Sequence, residues 1–287
     1  MKKKKTKGIR VGIVGYGIVG KAVEFGFKTS HNAIKIIDPN LDTTTADLLN
    51  WHPDVTFICV PTPMLESGSI DSSIIETVME ELQDVPGIVV IKSTITPDLA
   101  DTLCHDHDIV YTPEFLTEKN ALVDFVNPPM HVLGGSPIQT HTIELWYNMY
   151  STCNTAPAFQ MTPAEASFVK YGVNSFLATK VLWFNQYKDL IEKYGGNYNS
   201  VIKAISQDDR IGPSHTKVPG TDGRKGYGGA CFPKDTNALL NFSENTFSVL
   251  ASVIEANNEY RDQYDLDDRE KEQNVVYLAG KIVKMSK

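Results

Sequence analysis

A short buried strand that runs into Gly15-Tyr16-Gly17-Ile18-Val19-Gly20 and on into an apolar-periodic helix leaves a chain few folds to choose from. Residues 10–14 supply the strand, and Ala22, Val23, Phe25 and Gly26 continue the helix. The first glycine permits a tight turn, the second lets a pyrophosphate approach the backbone, and the third lets the helix pack closely on the strand. A second strand over residues 34–37 ends in Asp38, about 20 residues beyond the glycines, where a carboxylate accepts from both ribose hydroxyls and repels a 2′-phosphate. The pattern favours NAD over NADP, with Gly15, Gly17, Ile18, Val19, Gly20 and Asp38 as its contacts. The alternative is a glycine-rich turn that binds nothing, and Asp38 argues against it.

Strands and helices then alternate, as an α/β fold with a Rossmann-type doubly wound parallel sheet requires. Strands are expected at 55–60, 88–91, 109–111 and 131–133, the last of them followed by a helix around 138–150, and a helix at 71–83. Ligands in such folds bind beyond the carboxyl ends of the strands. Pro61-Thr62-Pro63, Lys92-Ser93-Thr94-Ile95-Thr96-Pro97 and Pro113-Glu114-Phe115-Leu116-Thr117-Glu118 all fall on that edge and read as the rim of one cleft.

After Pro157 the pattern becomes helical. A long helix is expected from Met161 to about Tyr194, with Thr162-Pro163 as N-cap and first residue and Gly195-Gly196 as its end. Lys170 and Asn174 are four apart and share one face, where two donors could hold a hydroxyl or an oxyanion. A helix of this length is a frequent dimerisation element. Further helices are expected at about 198–207 and 246–262. Between them lies Gly226-Tyr227-Gly228-Gly229-Ala230-Cys231-Phe232-Pro233-Lys234-Asp235. Its glycines let backbone N–H groups approach a ligand. Cys231 stands near a helix start and a lysine, both of which favour the thiolate, and Asp235 is close enough to serve as a base or orienting group. The plain alternative is a buried cysteine in an ordinary loop. The expected domains are a basic tail (1–7), a dinucleotide-binding domain (8–157), an all-helical domain built on the long central helix (158–262) and a charged C-terminal extension or tail (263–287).

Composition excludes other classes. A formal net charge of −8 is unlike the basic footprint of a nucleic-acid binder. No apolar run approaches a membrane span and no signal-peptide pattern opens the chain. Cys59, Cys104, Cys153 and Cys231 lie too far apart for a metal site or a disulfide framework, which points to a reducing, cytoplasmic setting without a metal.

Together the motifs resemble the UDP-glucose/GDP-mannose dehydrogenase family. Matching stretches are residues 14–20, Cys59-Val60-Pro61-Thr62-Pro63, Lys92-Ser93-Thr94, Pro113 to Glu118, residues 170–180, Asp209-Arg210-Ile211-Gly212 and Gly226 to Asp235, in the family's order over roughly residues 8–262. The resemblance implies oxidation of a nucleotide-sugar C6 alcohol to the carboxylate, of the UDP-glucose to UDP-glucuronate type, using two NAD+. Cys231 would form a thiohemiacetal and then a thioester. Lys170 and Asn174 would stabilise the oxyanion, while Asp235 binds or activates water and Thr94 helps position it. Glu118 would lie near the nicotinamide as a candidate base. The resemblance places Val60, Pro61, Thr62, Thr94, Glu118 and Lys234 at the cofactor, with Lys234 near the pyrophosphate. It places Glu114, Phe115, Leu116, Thr117 and Gly228 at the substrate, and has Arg210 reach the neighbouring subunit's substrate in a homodimer formed through the long helix.

Departures from the family pattern are specific. No second glycine fingerprint follows Asp262, so the likeness does not extend to the family's third, nucleotide-gripping domain. Residues 215–224 lengthen the loop before Cys231, and Gln186 stands where glutamate is more usual. Two other readings remain at this point: a single-step hydroxyacid or polyol dehydrogenase sharing the Lys-x-x-x-Asn helix, and a non-catalytic NAD-binding remnant.

Overall fold

The computed structural model describes residues 8–105 and 109–278. They divide into two compact units. The first, comprising residues up to 62 and 71–170, is built on a seven-stranded sheet ordered β2-β1-β3-β4-β5-β6-β7. Its strands are β1 (Arg10–Val14), β2 (Ala33–Ile37), β3 (Val55–Ile58), β4 (Ile88–Ile91), β5 (Ile109–Tyr111), β6 (His131–Gly134) and β7 (Ala158–Met161). Helices α1 (Ile18–Phe27), α2 (Ala46–Leu49), α3 (Ser73–Glu81), α4 (Pro97–His105), α5 (Ala121–Val126) and α6 (Pro137–Tyr150) connect them.

All strand pairs are parallel except β5–β6, which meet antiparallel through Tyr111 and Gly134. The sheet is the doubly wound parallel one expected, with this one antiparallel pairing. A correction is that β6 is not the last strand, because β7 pairs with it in register from His131–Ala158 to Gly134–Met161. The strands are apolar on both faces because helices cover both. Val11, Ile13, Phe57, Val90 and Val110 are buried together with Phe27, Phe125 and Tyr147. Each such side chain contributes about 1.5–3 kcal/mol by leaving water. The chain reverses its direction of travel across the sheet between β1 and β3, so the carboxyl ends of these two strands form the switch point where such folds take ligands.

The long helix α7 (Pro163–Lys193) begins in the first unit and continues in the second. Its start is a reciprocal cap: Glu165 N–H donates to Thr162 Oγ1 at 3.2 Å and Thr162 N–H to Glu165 Oε2 at 2.8 Å. Its end is the expected glycine stop. Gly195 lies at φ +74° and Gly196 N–H donates to Ile191 O at 2.9 Å.

The second unit contains residues 63–70 and those from 171 onward. It adds α8 (Tyr198–Ile205), α9 (Phe232–Phe242), α10 (Ser248–Arg261) and α11 (Asp268–Glu272). Ala178, Leu182, Tyr227 and Val253 form one of its cores, and Phe184, Tyr198 and Val218 another. Residues 263–278 pack within this unit. Glu270 and Val275 are buried within this unit, Tyr277 OH donates to Glu270 Oε1 at 2.8 Å, and Gln273 O accepts from Met64 N–H at 3.0 Å. The charged segment carries α11, and its central charge, Glu270, is paired with Arg261. No described helix is long and apolar enough to cross a membrane.

Candidate active site

In the first unit the loop between β1 and α1 has the geometry its glycines predict. Gly15 sits at φ +88°, and a Cβ there would lie 2.7 Å from Cys59 O across the switch point. A Cβ on Gly20 would meet Gly15 O at 2.0 Å, so helix and turn are in contact. Gly17 is exposed and faces open space, with no atom within 4 Å of a Cβ position. The α1 terminus carries no side-chain cap and no acidic residue in its first turn. Its N–H groups and dipole therefore remain for an anion. Asp38 ends β2, and its Oδ2 accepts from Tyr16 N–H at 2.7 Å while Oδ1 accepts from Asn40 N–H and Nδ2. Burial pushes its carboxyl up, but the Tyr16 and Asn40 donors outweigh that and hold it below the usual range. A cradle open at Gly17, an uncapped helix start and an ionised carboxylate fit a dinucleotide.

Beyond β3 and β4 the two rim loops are tied together. Ser93 Oγ donates to Val60 O at 2.6 Å and Thr62 Oγ1 to Thr94 O at 2.8 Å, while Pro61 stays exposed. The loop after β5 holds Glu114, whose Oε1 and backbone O accept from Lys170 Nζ at 3.0 and 2.7 Å. Lys170 is only 2% exposed, and its ammonium stands 5.7 Å from the Phe115 ring centroid. Glu114 Oε2 also accepts from Leu116 N–H at 2.6 Å, curling the loop. Thr117 and Glu118 are exposed, and Thr117 Oγ1 donates to Asp124.

Lys92, which sequence reading passed over as a site residue, is buried at the end of β4 and donates to Thr112 Oγ1 at 2.8 Å and Pro113 O at 3.4 Å. Burial pulls its ammonium down to about 8. The available signal was a lysine closing an otherwise apolar strand.

In the second unit Cys231 is the N-cap of α9 and is exposed. The other three cysteines are half-buried. Burial pushes the Cys59 and Cys104 thiols up to about 12 and raises Cys153. Asp235 lies one turn into α9, and its N–H donates to Cys231 O at 2.8 Å. Its carboxylate is bracketed by Asn174 Nδ2 on Oδ2 and Lys234 Nζ on Oδ1, both at 2.6 Å. Lys234 is thus buried against Asp235. Arg210 is highly exposed and bonds Asp208 in bidentate fashion. Lys170 and Asn174 stand one turn apart on α7.

The glycine loop before Cys231 is held by side chains that sequence reading did not single out. Gly226 N–H donates to Asn185 Oδ1 at 3.0 Å, and Tyr227 exchanges two bonds with Asn257 at 2.7 and 3.0 Å. An asparagine on the buried face of a helix is the signal that could have found Asn185 and Asn257.

Residues 40–154 match the NAD binding domain of the UDP-glucose/GDP-mannose dehydrogenase family, and residues 164–259 match its central domain. The chain belongs to that family. Its cofactor is NAD, and the glycine loop precedes the matched range. The chain is 32% identical to a UDP-glucose 6-dehydrogenase of Rickettsia bellii (strain RML369-C) over 221 residues, which cover 72% of this chain and 50% of the relative. It is 33% identical to a UDP-glucose 6-dehydrogenase of Bacillus subtilis (strain 168) over 224 residues, 71% of this chain and 48% of that one. This family member therefore spans about half the length of the curated relatives it matches. A UDP-glucose dehydrogenase from Pyrobaculum islandicum has the same fold, with a TM-score of 0.76 at 24% identity over 90% of this chain and 70% of that chain. The fold is also that of a 3-hydroxyisobutyrate dehydrogenase from Mycobacterium tuberculosis, with a TM-score of 0.68 at 15% identity over 91% and 96% of the two chains.

Proposed function

We propose that this chain carries the NAD-dependent oxidation of a nucleotide-sugar C6 alcohol to the carboxylate, of the UDP-glucose to UDP-glucuronate type, through a covalent intermediate on Cys231. The observation that carries the reading is an exposed cysteine capping a helix, with a doubly held carboxylate one turn inside it. The helix N-terminus favours the thiolate.

When bound, NAD supplies the hydride acceptor, one molecule for each of the two oxidations. Cys231 Sγ adds to the aldehyde carbon, giving a thiohemiacetal whose oxidation product is a thioester, and water then displaces the thiol. Lys170 and Asn174 stabilise the oxyanion at C6 in addition and hydrolysis. Asp235 orients or deprotonates the attacking water, Thr94 helps position it, and Glu118 is a second candidate base. Val60, Pro61, Thr62, Thr94 and Glu118 line the cofactor side, and Glu114, Phe115, Leu116, Thr117 and Gly228 the substrate side. The buried Lys234–Asp235 pair supports a role for Lys234 in holding Asp235.

Pairing of two copies through α7 belongs to the same proposal. Phe176, Trp183 and Leu190 recur at seven-residue spacing and are 69%, 65% and 50% exposed. Arg210 is then the residue offered to the partner copy's substrate. Light scattering on a Trp183→Glu variant tests this: the expected result is a monomer, and an unchanged mass refutes it.

A single-step hydroxyacid dehydrogenase is the second reading. The near full-length cover of the 3-hydroxyisobutyrate dehydrogenase chain favours it. Cys231 separates the two, since a two-electron oxidation has no use for a thiol nucleophile. Counting NADH per substrate over UDP-, GDP- and ADP-sugars decides: two supports the proposal and one refutes it. Cys231→Ser should abolish acid formation, and full NADH yield from that variant would remove the covalent step.

A further inference from the structure

The loop that carries Cys231 poses a mechanical problem. Three of its residues are glycines, and Gly226 and Gly229 sit at φ +77° and +79°. Such a segment has unusual conformational freedom to lose. A nucleophile at its end acts only if the loop is fixed. The structure fixes it by bonding three of its backbone N–H groups to side chains from different elements. Gly226 is held by Asn185 on α7 and Tyr227 by Asn257 on α10. Gly229, two residues before the cysteine, donates to Glu270 Oε1 at 3.2 Å.

Asn185 and Asn257 lie inside the range that matches the family's central domain, which ends at residue 259, whereas Glu270 lies outside it. Glu270 is fully buried, and its surroundings are built to keep it ionised and still. Arg261 Nη2 donates to Oε1 at 2.6 Å, Tyr277 OH to Oε1 at 2.8 Å and Asp267 N–H to Oε2 at 2.9 Å. Arg224 approaches Oε2 at 3.7 Å and also donates to Asp265 O. Arg261, 1% exposed, is anchored in turn on Asp222 Oδ2 at 2.7 Å. Asp222 and Arg224 belong to the lengthened loop before Cys231, so that insertion and residues 263–278 are joined through one buried ion cluster. The fit leaves no room for a side chain at Gly228, where a Cβ would sit 2.2 Å from Arg261 Nη2 and 2.5 Å from Glu270 Oε1.

We propose that Glu270 is a positioning residue for the Cys231 loop, and that residues 263–278 are a strap supplying the third clamp on that loop. The carboxylate acts through Gly229 and does not touch substrate. A buried ion pair by itself is weak grounds for function. What sets this one apart is that it ends on a backbone N–H of the loop whose placement decides whether the thiol reacts.

The test uses two double variants that remove both fully buried charges together; Asp222 and Arg224, which each lose a partner, are partly exposed and lose the same one in both variants. Arg261→Met/Glu270→Leu deprives Gly229 of its acceptor, whereas Arg261→Met/Glu270→Gln keeps an amide oxygen for it. With thermal midpoints alike, the leucine variant should have a kcat about tenfold or more below the glutamine variant, because a loosened reacting group loses orientation, with an unchanged KM. The rate of iodoacetamide alkylation at Cys231, read by peptide mapping, should differ between the two in the same preparations. Equal kcat and equal alkylation rates overturn the assignment. The kcat arm rests on the oxidation proposed above, but the alkylation arm does not, so an inactive protein whose thiol reactivity still tracks residue 270 would refute the function and retain the strap. If neither variant folds, amide exchange in the unaltered protein decides: Gly229 should be protected as Tyr227 is, and fast exchange at Gly229 beside slow exchange at Tyr227 overturns the proposal.

Discussion

Replacing Glu114 with leucine isolates what the buried pair with Lys170 does. The two side chains are 3% and 10% exposed, and the ammonium is held at 3.0 Å from Oε1 and 2.7 Å from the Glu114 carbonyl. Removing one partner of such a pair strands the other charge without water, which costs about 3–5 kcal/mol. The carbonyl bond survives the substitution, which sets the expected loss at the lower end of that range, about 3 kcal/mol, even though Leu116 N–H also loses its acceptor. For a protein of this size each kcal/mol lowers the melting midpoint by about 2–4 °C, giving a drop of roughly 6–12 °C. Urea unfolding of the wild type, Glu114→Leu, Lys170→Met and the double variant closes a thermodynamic cycle. The double variant should recover most of the lost stability, with a coupling of about 2 kcal/mol or more, and still turn over no substrate if Lys170 stabilises the oxyanion. A Glu114→Leu loss below about 1 kcal/mol, in the range of an exposed pair, would refute the burial argument. A double variant with normal kcat would instead refute the chemical role of Lys170 while leaving the stability argument intact.

The remaining predictions concern Lys92 and the glycine loop. Burial lowers the Lys92 ammonium from its ordinary 10.5 to about 8, so the folded chain gives up this proton more readily than the unfolded one. Between pH 8 and 10.5 the unfolded state binds more protons, and the wild type should gain about 3 kcal/mol relative to Lys92→Met as pH rises through that window; a constant difference between the two across it would show that the ammonium is solvated. Asp38→Ala should weaken NAD binding by about tenfold or more and relax discrimination against NADP, as measured by calorimetric titration. Unchanged affinity for both would mean that the carboxylate does not meet the ribose. Gly17→Ala meets open space and should cost no more than about 1 kcal/mol while impairing NAD binding. Gly20→Ala, which drives a Cβ into Gly15 O, should cost about 3 kcal/mol or more; equal stabilities would contradict the packing at the switch point.

What could be read from the sequence was local. The turn at Gly15, the cap at Thr162, the stop at Gly195 and the helix start at Cys231 each follow from residues within a few positions of one another. The edge strand β7 escaped because it has four residues, with Phe159 and Gln160 exposed, and offers neither alternation nor an apolar run. The direction of β6 escaped because a strand's apolar pattern reads the same in either orientation, and a single residue pair joins it to β5.

The packing of residues 263–278 was hidden for a different reason. Asp265, Asp267, Asp268, Arg269, Glu270 and Lys271 have the composition of a solvated tail, and composition carries no record of which charge meets an opposite one. Glu270 is neutralised by Arg261, nine positions earlier on another helix. Asn185 and Asn257 pose the same problem in milder form, since each is an indifferent helix residue until its side chain meets the backbone of the glycine loop. The groups proposed for chemistry are therefore set by short motifs, whereas the groups that hold them still come from 30 to 41 positions away. Motif matching finds the nucleophile but is blind to its clamps. Because the clamps act on backbone N–H groups, any residue type with an acceptor at the right point satisfies them, and Glu270, outside the matched domains, supplies one of them.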